Sequence, residues 1–214
     1  MLRWPFRRRV ATERLSPQAA YAIWAPSYPP RPHNRMMEIE QQAVLGLLPD
    51  VAGLRVLDAG CGSGRYLHEL TVRGAEAFGI DLSSAMLTRA RAIMPRVARA
   101  DVCALPIQAM SLDLVVCALA LGDTSDLELA LAEIARVLRP GGAVIYSVVH
   151  PVGEAAGWSR SFDAGGRQVA IDGHWHSADR HRHACQAAGL AIESWHEPED
   201  TTGQPVVLVI RARR

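Results

Sequence analysis

Residues 54 to 64, which read Leu-Arg-Val-Leu-Asp-Ala-Gly-Cys-Gly-Ser-Gly, constrain the fold of this chain more than any other stretch. An apolar run, Val56-Leu57, leads directly into three glycines at alternate positions, and an amphipathic segment with Tyr66, Leu67 and Leu70 follows. This order predicts a strand, a tight turn and a helix. Glycine is needed where the backbone takes a positive φ or where a ligand must approach without a Cβ in the way. The N-terminus of the following helix favours an anionic group such as a carboxylate.

Three interpretations of this loop are open from its residues. The dehydrogenase fingerprint is G-x-G-x-x-G, whereas Gly60, Gly62 and Gly64 form G-x-G-x-G. Asp58 lies two residues before the first glycine, where its charge would repel a pyrophosphate and attract a cation. A sulfonium cofactor with an amino-acid tail therefore suits the loop better than a dinucleotide does. The third interpretation is a turn that serves only the packing of strand against helix.

Length and composition place the chain among ordinary globular proteins. Its 214 residues are expected to form one domain with a sizeable core, and a net charge of +1 gives no reason to expect nucleic acid or a membrane as partner. The four cysteines have no metal-ligand spacing and three lie in apolar segments, so we expect free thiols, no metal site and a cytoplasmic location. No apolar run reaches the length of a membrane span, and no apolar segment follows the basic N-terminus as in a signal peptide.

Apolar runs and helical patterns alternate along the chain. The segments predicted as strands after the loop are 77–80, 96–100, 112–119 and 143–149. The segments predicted as helices are 35–48, 83–92 and 127–138. This alternation predicts a parallel, doubly wound sheet with right-handed crossovers.

The pattern changes after residue 151. Residues 152–176 predict an irregular insert with a small hairpin, and 178–188 predicts a helix. Two further strands are predicted at 190–195 and 205–210. Their tight connection makes them antiparallel, which is expected to place a reversed strand at the edge of the sheet.

Two acids follow the glycine loop at strand ends. Asp81 ends the second strand, where a carboxylate can accept from both ribose hydroxyls of a nucleoside bound across the loop. Asp101 ends the third strand, where it could accept from an adenine amino group beside the Val102 backbone N–H. Ligands of open α/β sheets bind at the carboxyl ends of the strands, and these residues all fall there. Capping of the next helix is the alternative role of each acid.

The chain resembles the class I S-adenosylmethionine-dependent methyltransferases, which have a Rossmann-like fold. The resemblance rests on D-x-G-x-G-x-G at 58–64, D-x-x-x-L-P at 101–106 and R-x-L-[RK]-P-G-G at 136–142, and it covers about 40–150. It implies an α/β fold with a doubly wound, mostly parallel seven-stranded sheet and an antiparallel C-terminal strand pair. It also implies S-adenosyl-L-methionine as cofactor, with S-adenosyl-L-homocysteine as product. The residues expected to bind the cofactor are Asp58, Gly60, Gly62, Gly64, Asp81, Leu82, Asp101, Val102 and Ala118.

The resemblance also suggests how a single domain, 1–214, is divided. The expected parts are an N-terminal arm and cap (1–34), a cofactor-binding core (35–150), a substrate-side insert (151–177) and a C-terminal helix and strand pair (178–214). The aromatic segment of the cap resembles the part of small-molecule methyltransferases that closes over the cofactor, and simple packing against the sheet is the alternative. The residues expected to bind the acceptor are Tyr21, Tyr28, His33, Trp158 and His174.

Histidines are the candidates for catalysis, because transfer to a hydroxyl benefits from a general base that titrates near neutral pH. His150, just beyond the fifth strand, is the best placed along the chain, and His176 in the insert is the second candidate. The alternatives are a His-Pro strand exit at 150–151 and a surface position for the Gly-His-Trp-His segment.

We therefore expect a methyltransferase that acts on a small molecule, with O-methylation favoured by the available histidines. The alternatives are methylation of a carrier-protein-bound acyl group, a cofactor-binding homologue that does not catalyse transfer, and a nicotinamide oxidoreductase, which the glycine spacing disfavours. No [ND]-P-P-[YF] motif follows the fourth strand, which argues against an amine methylase of DNA or of protein glutamine. Neither nucleic acid nor a membrane is expected as partner, and the sequence allows a homodimer.

Overall fold

Ten strands and seven α-helices occur in the computed structural model, which describes residues 13–214. The strands are β1 (Glu13–Leu15), β2 (Arg55–Ala59), β3 (Glu76–Asp81), β4 (Val97–Arg99), β5 (Leu112–Ala118), β6 (Leu138–Val149), β7 (Ser161–Asp163), β8 (Gln168–Ile171), β9 (Ala191–His196) and β10 (Val207–Arg213). The helices are α1 (Pro17–Trp24), α2 (Arg35–Gly46), α3 (Arg65–Val72), α4 (Ser84–Arg91), α5 (Leu127–Val137), α6 (Val152–Ala155) and α7 (Ala178–Ala187). The N-terminal part of the predicted arm, residues 1–12, lies outside the described residues.

Seven strands form the central sheet in the order β4-β3-β2-β5-β6-β10-β9. Neighbours from β4 to β6 are parallel, and β10 runs antiparallel to both β6 and β9. The predicted α/β class, the mostly parallel seven-stranded sheet and the antiparallel C-terminal pair are confirmed. Within residues 13–214, none of the helices combines the length and the apolar character that crossing a bilayer demands.

The reversed strand does not lie at the edge of the sheet, and that prediction is wrong. β10 lies between β6 and β9, so β9 is the edge strand. The burial of the two strands explains their order. Residues 206–210 are all apolar and fully buried, whereas most of β9 is exposed. A continuous apolar run needs cover on both faces, whereas an edge strand tolerates polar side chains.

The two faces of the sheet pack against different helices. Side chains alternate along each strand, so Val56 and Leu57 of β2 enter opposite clusters. One cluster contains Leu131 of α5, and the other contains Leu67 of α3 and Val44 of α2.

Strand β6 begins earlier than predicted, because the Pro140-Gly141-Gly142 turn is part of it. The pairing of β5 with β6 shifts register between Leu112 and Leu114. Gly141 takes φ of +80°, and a Cβ on Gly142 would lie 3.0 to 3.2 Å from three backbone carbonyl oxygens. The glycines therefore allow a bulge that brings the chain from α5 directly into the sheet.

A second, three-stranded sheet covers one end of the first. β7 and β8 form the predicted hairpin, and β1 pairs with β8 in parallel, Glu13 opposite Val169. Helix α1 packs on this sheet through Trp24, whose ring stacks on Phe162 with centroids 4.5 Å apart. We call α1, β1, β7 and β8 the roof.

Candidate active site

A cavity of about 400 Å³ lies at the carboxyl ends of β2, β3 and β5. Its floor is formed by the glycine loop and by Ala118 to Ala120, and Tyr21 of the roof lies opposite. Pockets of this size hold ligands as large as a nucleoside with an amino-acid tail.

The glycine loop is shaped by three residues with positive φ, +73° at Gly60, +53° at Gly62 and +91° at Gly64. A Cβ on Gly60 would lie 2.4 Å from the Cβ of Ala120, so glycine is needed here for the loop to pack against Ala120. A Cβ on Gly62 would meet no atom within 4 Å, because this residue faces the cavity. Gly64 does not line the cavity and instead stands at the N-cap of α3.

Asp58 is buried at the base of the cavity with only 1% of its surface exposed. Burial raises the pKa of this carboxyl to about 7, although Arg65 and the Leu67 backbone N–H oppose the shift. Its Oδ2 has no hydrogen-bond partner among the described residues. Buried polar atoms are normally paired, so this oxygen is suited to a cationic group of a ligand.

Asp81 and Asp101 stand at the ends of the next two strands, and both line the cavity. Asp81 accepts hydrogen bonds from the backbone N–H of Ser83 at 2.7 Å and of Gly62 at 2.8 Å, so it also braces the glycine loop. Burial raises the pKa of the Asp81 carboxyl. Asp101 accepts from the Cys103 backbone N–H at 2.9 Å. Eight of the nine predicted cofactor residues thus line one cavity, and Gly64 is the exception.

Three of the five predicted acceptor residues, Tyr21, Tyr28 and His174, also line the cavity. His33 lies behind them and packs edge-on against Tyr28, with ring centroids 5.2 Å apart. Trp158 packs at Gly153, where a Cβ would lie 2.5 Å from its ring. Neither of these two residues belongs to the lining of this cavity.

The two predicted catalytic histidines lie outside the cavity lining. His150 accepts from the Val152 backbone N–H through Nδ1, and its Nε2 is 3.6 Å from a carboxylate oxygen of Glu197. His176 Nε2 is 2.9 Å from the Thr124 carbonyl oxygen, and its Nδ1 is 3.0 Å from Arg180. Burial lowers the pKa of both imidazoles. Their catalytic role stays a prediction, and His174 is the one histidine among the described residues lining the cavity.

Two ion pairs at the cavity wall were missed by sequence reasoning. Glu40 pairs with Arg65 at 2.9 Å, and Asp123 pairs with Arg160 from the segment before β7. Burial lowers the pKa of Arg160, but Asp123 and Tyr21 outweigh it and the pKa is raised. A signal existed for the first pair, since Glu40 interrupts the buried face of α2. No sequence signal links Asp123 to Arg160.

Comparisons with known proteins agree with this geometry. The Methyltransferase domain family matches residues 57–146. The chain is 35% identical over 133 residues to a malonyl-[acyl-carrier protein] O-methyltransferase of Enterobacter lignolyticus, covering 61% of this chain and 52% of that protein. It is 38% identical over 119 residues to the protein of the same name from Salmonella typhimurium, covering 55% of this chain and 47% of that protein. The chain thus spans about half the length of the curated relatives it matches.

A solved structure is similar over a larger share. The crystal structure of an S-adenosylmethionine-dependent methyltransferase from Mesorhizobium loti superposes with a TM-score of 0.71 at 30% identity, covering 82% of this chain and 98% of that one. The match therefore extends over nearly the whole of that protein. The chain therefore belongs to the S-adenosylmethionine-dependent methyltransferase family.

Proposed function

We propose that this protein binds S-adenosyl-L-methionine in the cavity and transfers its methyl group to an oxygen atom of a small acceptor. The observation that carries the proposal is the buried Oδ2 of Asp58, which has no hydrogen-bond partner among residues 13–214 and lies beside a loop whose Gly62 leaves open space. The ammonium group of an amino-acid tail fits this oxygen, since it supplies a hydrogen-bond donor that none of the described residues provides. Asp81 and Asp101 would hold the ribose and the adenine.

The protein contributes binding, orientation and exclusion of water. When bound, the cofactor supplies a methyl group on a positively charged sulfur, whose C–S bond breaks as an acceptor oxygen forms a C–O bond and the neutral thioether leaves. Tyr21 and Tyr28 of the cap would hold the acceptor against the floor and keep water out. A hydroxyl acceptor would lose its proton to an imidazole nitrogen of His174, whereas a carboxylate acceptor has no proton to lose.

A carrier-protein-bound acyl group is the second candidate acceptor. The names of the curated relatives favour it, because those proteins are described as O-methyltransferases of malonyl groups on acyl-carrier protein. A carboxylate acceptor agrees with a cavity whose predicted catalytic histidines stand outside it. We also propose a cytoplasmic location, since all four cysteines are unpaired.

Calorimetric titration with S-adenosylhomocysteine, with NADH as control, tests the cofactor assignment. We expect micromolar binding of the first and none of the second. Asp81→Ala should weaken that binding by about tenfold or more, because it removes a ribose acceptor and the brace on the Gly62 N–H. Binding of NADH in preference would overturn the proposal, and unchanged affinity in the variant would refute the ribose role of Asp81.

Acceptor choice is tested with labelled S-adenosylmethionine. One arm offers small hydroxyl and carboxylate compounds, and the other offers a malonyl-loaded acyl-carrier protein, each with boiled enzyme as control. Label in a base-labile ester on the carrier supports the second candidate, and label in a small compound supports the first. Cofactor binding with no transfer in either arm would favour a binding protein over an enzyme.

A further inference from the structure

Glu40 carries a fully buried carboxylate, and two of the residues that donate hydrogen bonds to it, Arg65 and Tyr66, line the cavity. Its Oε2 accepts from Arg65 Nη2 at 2.9 Å and from the Tyr66 hydroxyl at 3.0 Å. Its Oε1 accepts from the Ser147 hydroxyl at 2.6 Å. A buried carboxylate is costly unless it is paired, and an apolar residue in its place is often as stable. Stability alone therefore does not explain why the chain has a carboxylate at position 40.

One branch of these bonds ends at Arg65, the first residue of α3. Its side chain is only 12% exposed, it lines the cavity, and it donates a second hydrogen bond to Gln41 at 3.0 Å. The same guanidinium acts on Asp58, where it opposes the rise in pKa that burial causes. Glu40 therefore fixes the position of the positive charge that Asp58 feels.

The other branch ends at Leu119, immediately after β5. Its backbone N–H bonds both the Ser147 carbonyl oxygen at 2.9 Å and the Ser147 hydroxyl at 3.0 Å. Leu119 takes φ of +57°, a left-handed backbone conformation that L side chains rarely adopt and that persists only where the surrounding structure holds it. Leu119 lines the cavity beside Ala120, the residue against which Gly60 closes. The Ser147 hydroxyl, itself held by Glu40, thus helps to hold a strained part of the floor.

We propose that Glu40 is a positioning residue for cofactor binding. From outside the cavity lining it holds two separate parts of the wall, the Arg65 guanidinium and, through Ser147, the Leu119 backbone. Both parts flank Asp58 and Gly60, where the amino-acid end of the cofactor would lie. The inference rests on the proposed function, because it assigns Glu40 to the same site.

The test compares two acids of α2 by calorimetry with S-adenosylhomocysteine and by thermal unfolding. Glu40→Gln keeps the size of the side chain but leaves Arg65 without its counter-ion. Glu38→Gln is the matched control, since Glu38 is an exposed acid that pairs with Arg35 on the same helix at 3.2 Å. Measured well below the unfolding temperature, Glu40→Gln should weaken binding by about tenfold or more, and the control should change it by less than about twofold.

Two further variants separate positioning from simple stability. Ser147→Ala leaves the Glu40–Arg65 pair and the Leu119 bond to the backbone carbonyl of residue 147 in place, and removes only the hydroxyl that links Glu40 to Leu119. It should therefore weaken binding about threefold or more. In Glu40→Gln with Arg65→Gln no buried cation is left unpaired, so the melting temperature should recover while the affinity stays low. Ser147→Ala decides the question where Glu40→Gln does not fold.

The outcomes separate this inference from the proposed function. Loss of stability with wild-type affinity in Glu40→Gln or in Ser147→Ala would make the network structural and overturn the inference alone. No binding of S-adenosylhomocysteine by the wild-type protein would overturn the proposed function, and the role of Glu40 with it.

Discussion

Asp58 shows at the scale of one residue how a buried acid can be tuned by its neighbours. Burial raises its pKa to about 7, Arg65 lowers it, and Asp81 and Glu40 raise it. In the free protein, the carboxyl therefore holds a proton over much of the range below neutral pH. A cation bound beside it favours the carboxylate, so binding should expel that proton.

Cofactor affinity should therefore depend on pH. Below about pH 7, binding of S-adenosylhomocysteine through its ammonium group should release up to about one proton, and affinity should rise with pH until it levels off near pH 8. Calorimetry in buffers of different ionisation enthalpy measures the released proton. Asp58→Asn should flatten this dependence, and an equal slope in both proteins would exclude Asp58 as the titrating group.

Residues with local sequence signals could be predicted, and those with only spatial partners could not. Asp58 and Asp81 lie at the carboxyl ends of recognisable strands and Asp101 lies just beyond one, so their place at one edge of the sheet follows from topology. Arg160 reaches Asp123 only because the fold brings the segment before β7 against the residues that follow β5, which are 37 positions away in the sequence. The prediction of His150 and His176 as catalytic residues rests on their position along the chain, which fixes neither the direction of a side chain nor its bonds.

At the scale of elements, the roof likewise has parts that the sequence predicts and parts that it does not. Its hairpin was predicted from turn residues between short apolar runs, and α1 was expected only as part of an aromatic cap. The parallel pairing of β1 with β8 was not predicted, because three residues with no alternating pattern give no strand signal. The small cluster of Ala20, Phe162, Val169 and Ile171 then joins these elements apart from the main core.

Trp24 should control how firmly the roof holds together. Its ring stacks on Phe162 and meets Tyr28 edge-on at 4.7 Å, so Trp24→Ala should lower the free energy of local opening by roughly 1–3 kcal/mol. Hydrogen exchange should accelerate together in α1 and β8, while amides of β2 and β5 keep their protection. Ile23→Ala, at a neighbouring position that is 40% exposed, is the control and should leave both rates nearly unchanged. Faster exchange in α1 alone would show that the roof does not open as one unit.

At the scale of the whole molecule, β10 holds the C-terminal part of the sheet in place. It bonds to β6 on one side and β9 on the other, and its residues reach the clusters on both faces. The near-continuous apolar run from 206 to 210 explains why this strand lies inside the sheet although it comes last along the chain.

Leu208 should therefore matter for global stability and little for binding. This side chain is fully buried, and Leu208→Ala should reduce the free energy of unfolding by about 2–5 kcal/mol through lost contacts and a cavity. Denaturant titration measures the loss, and S-adenosylhomocysteine affinity should stay within about twofold. Ile192→Ala in edge strand β9, at a side chain 37% exposed, should cost less than about 1 kcal/mol. A loss as small as that of the control would contradict a central role for β10.

The pairing of β1 with β8 has a consequence for exchanging parts between relatives. In the sequence, residues 13–15 come before strands β2 to β6 and residues 169–171 come after them. In the structure, these two segments are adjacent strands of one small sheet. A chimaera that receives only a foreign β7–β8 hairpin would lose the native partners of β1 and of Trp24 in α1. Exchanging this small sheet between relatives therefore requires both segments to move together, because one structural unit is built from two distant pieces of sequence.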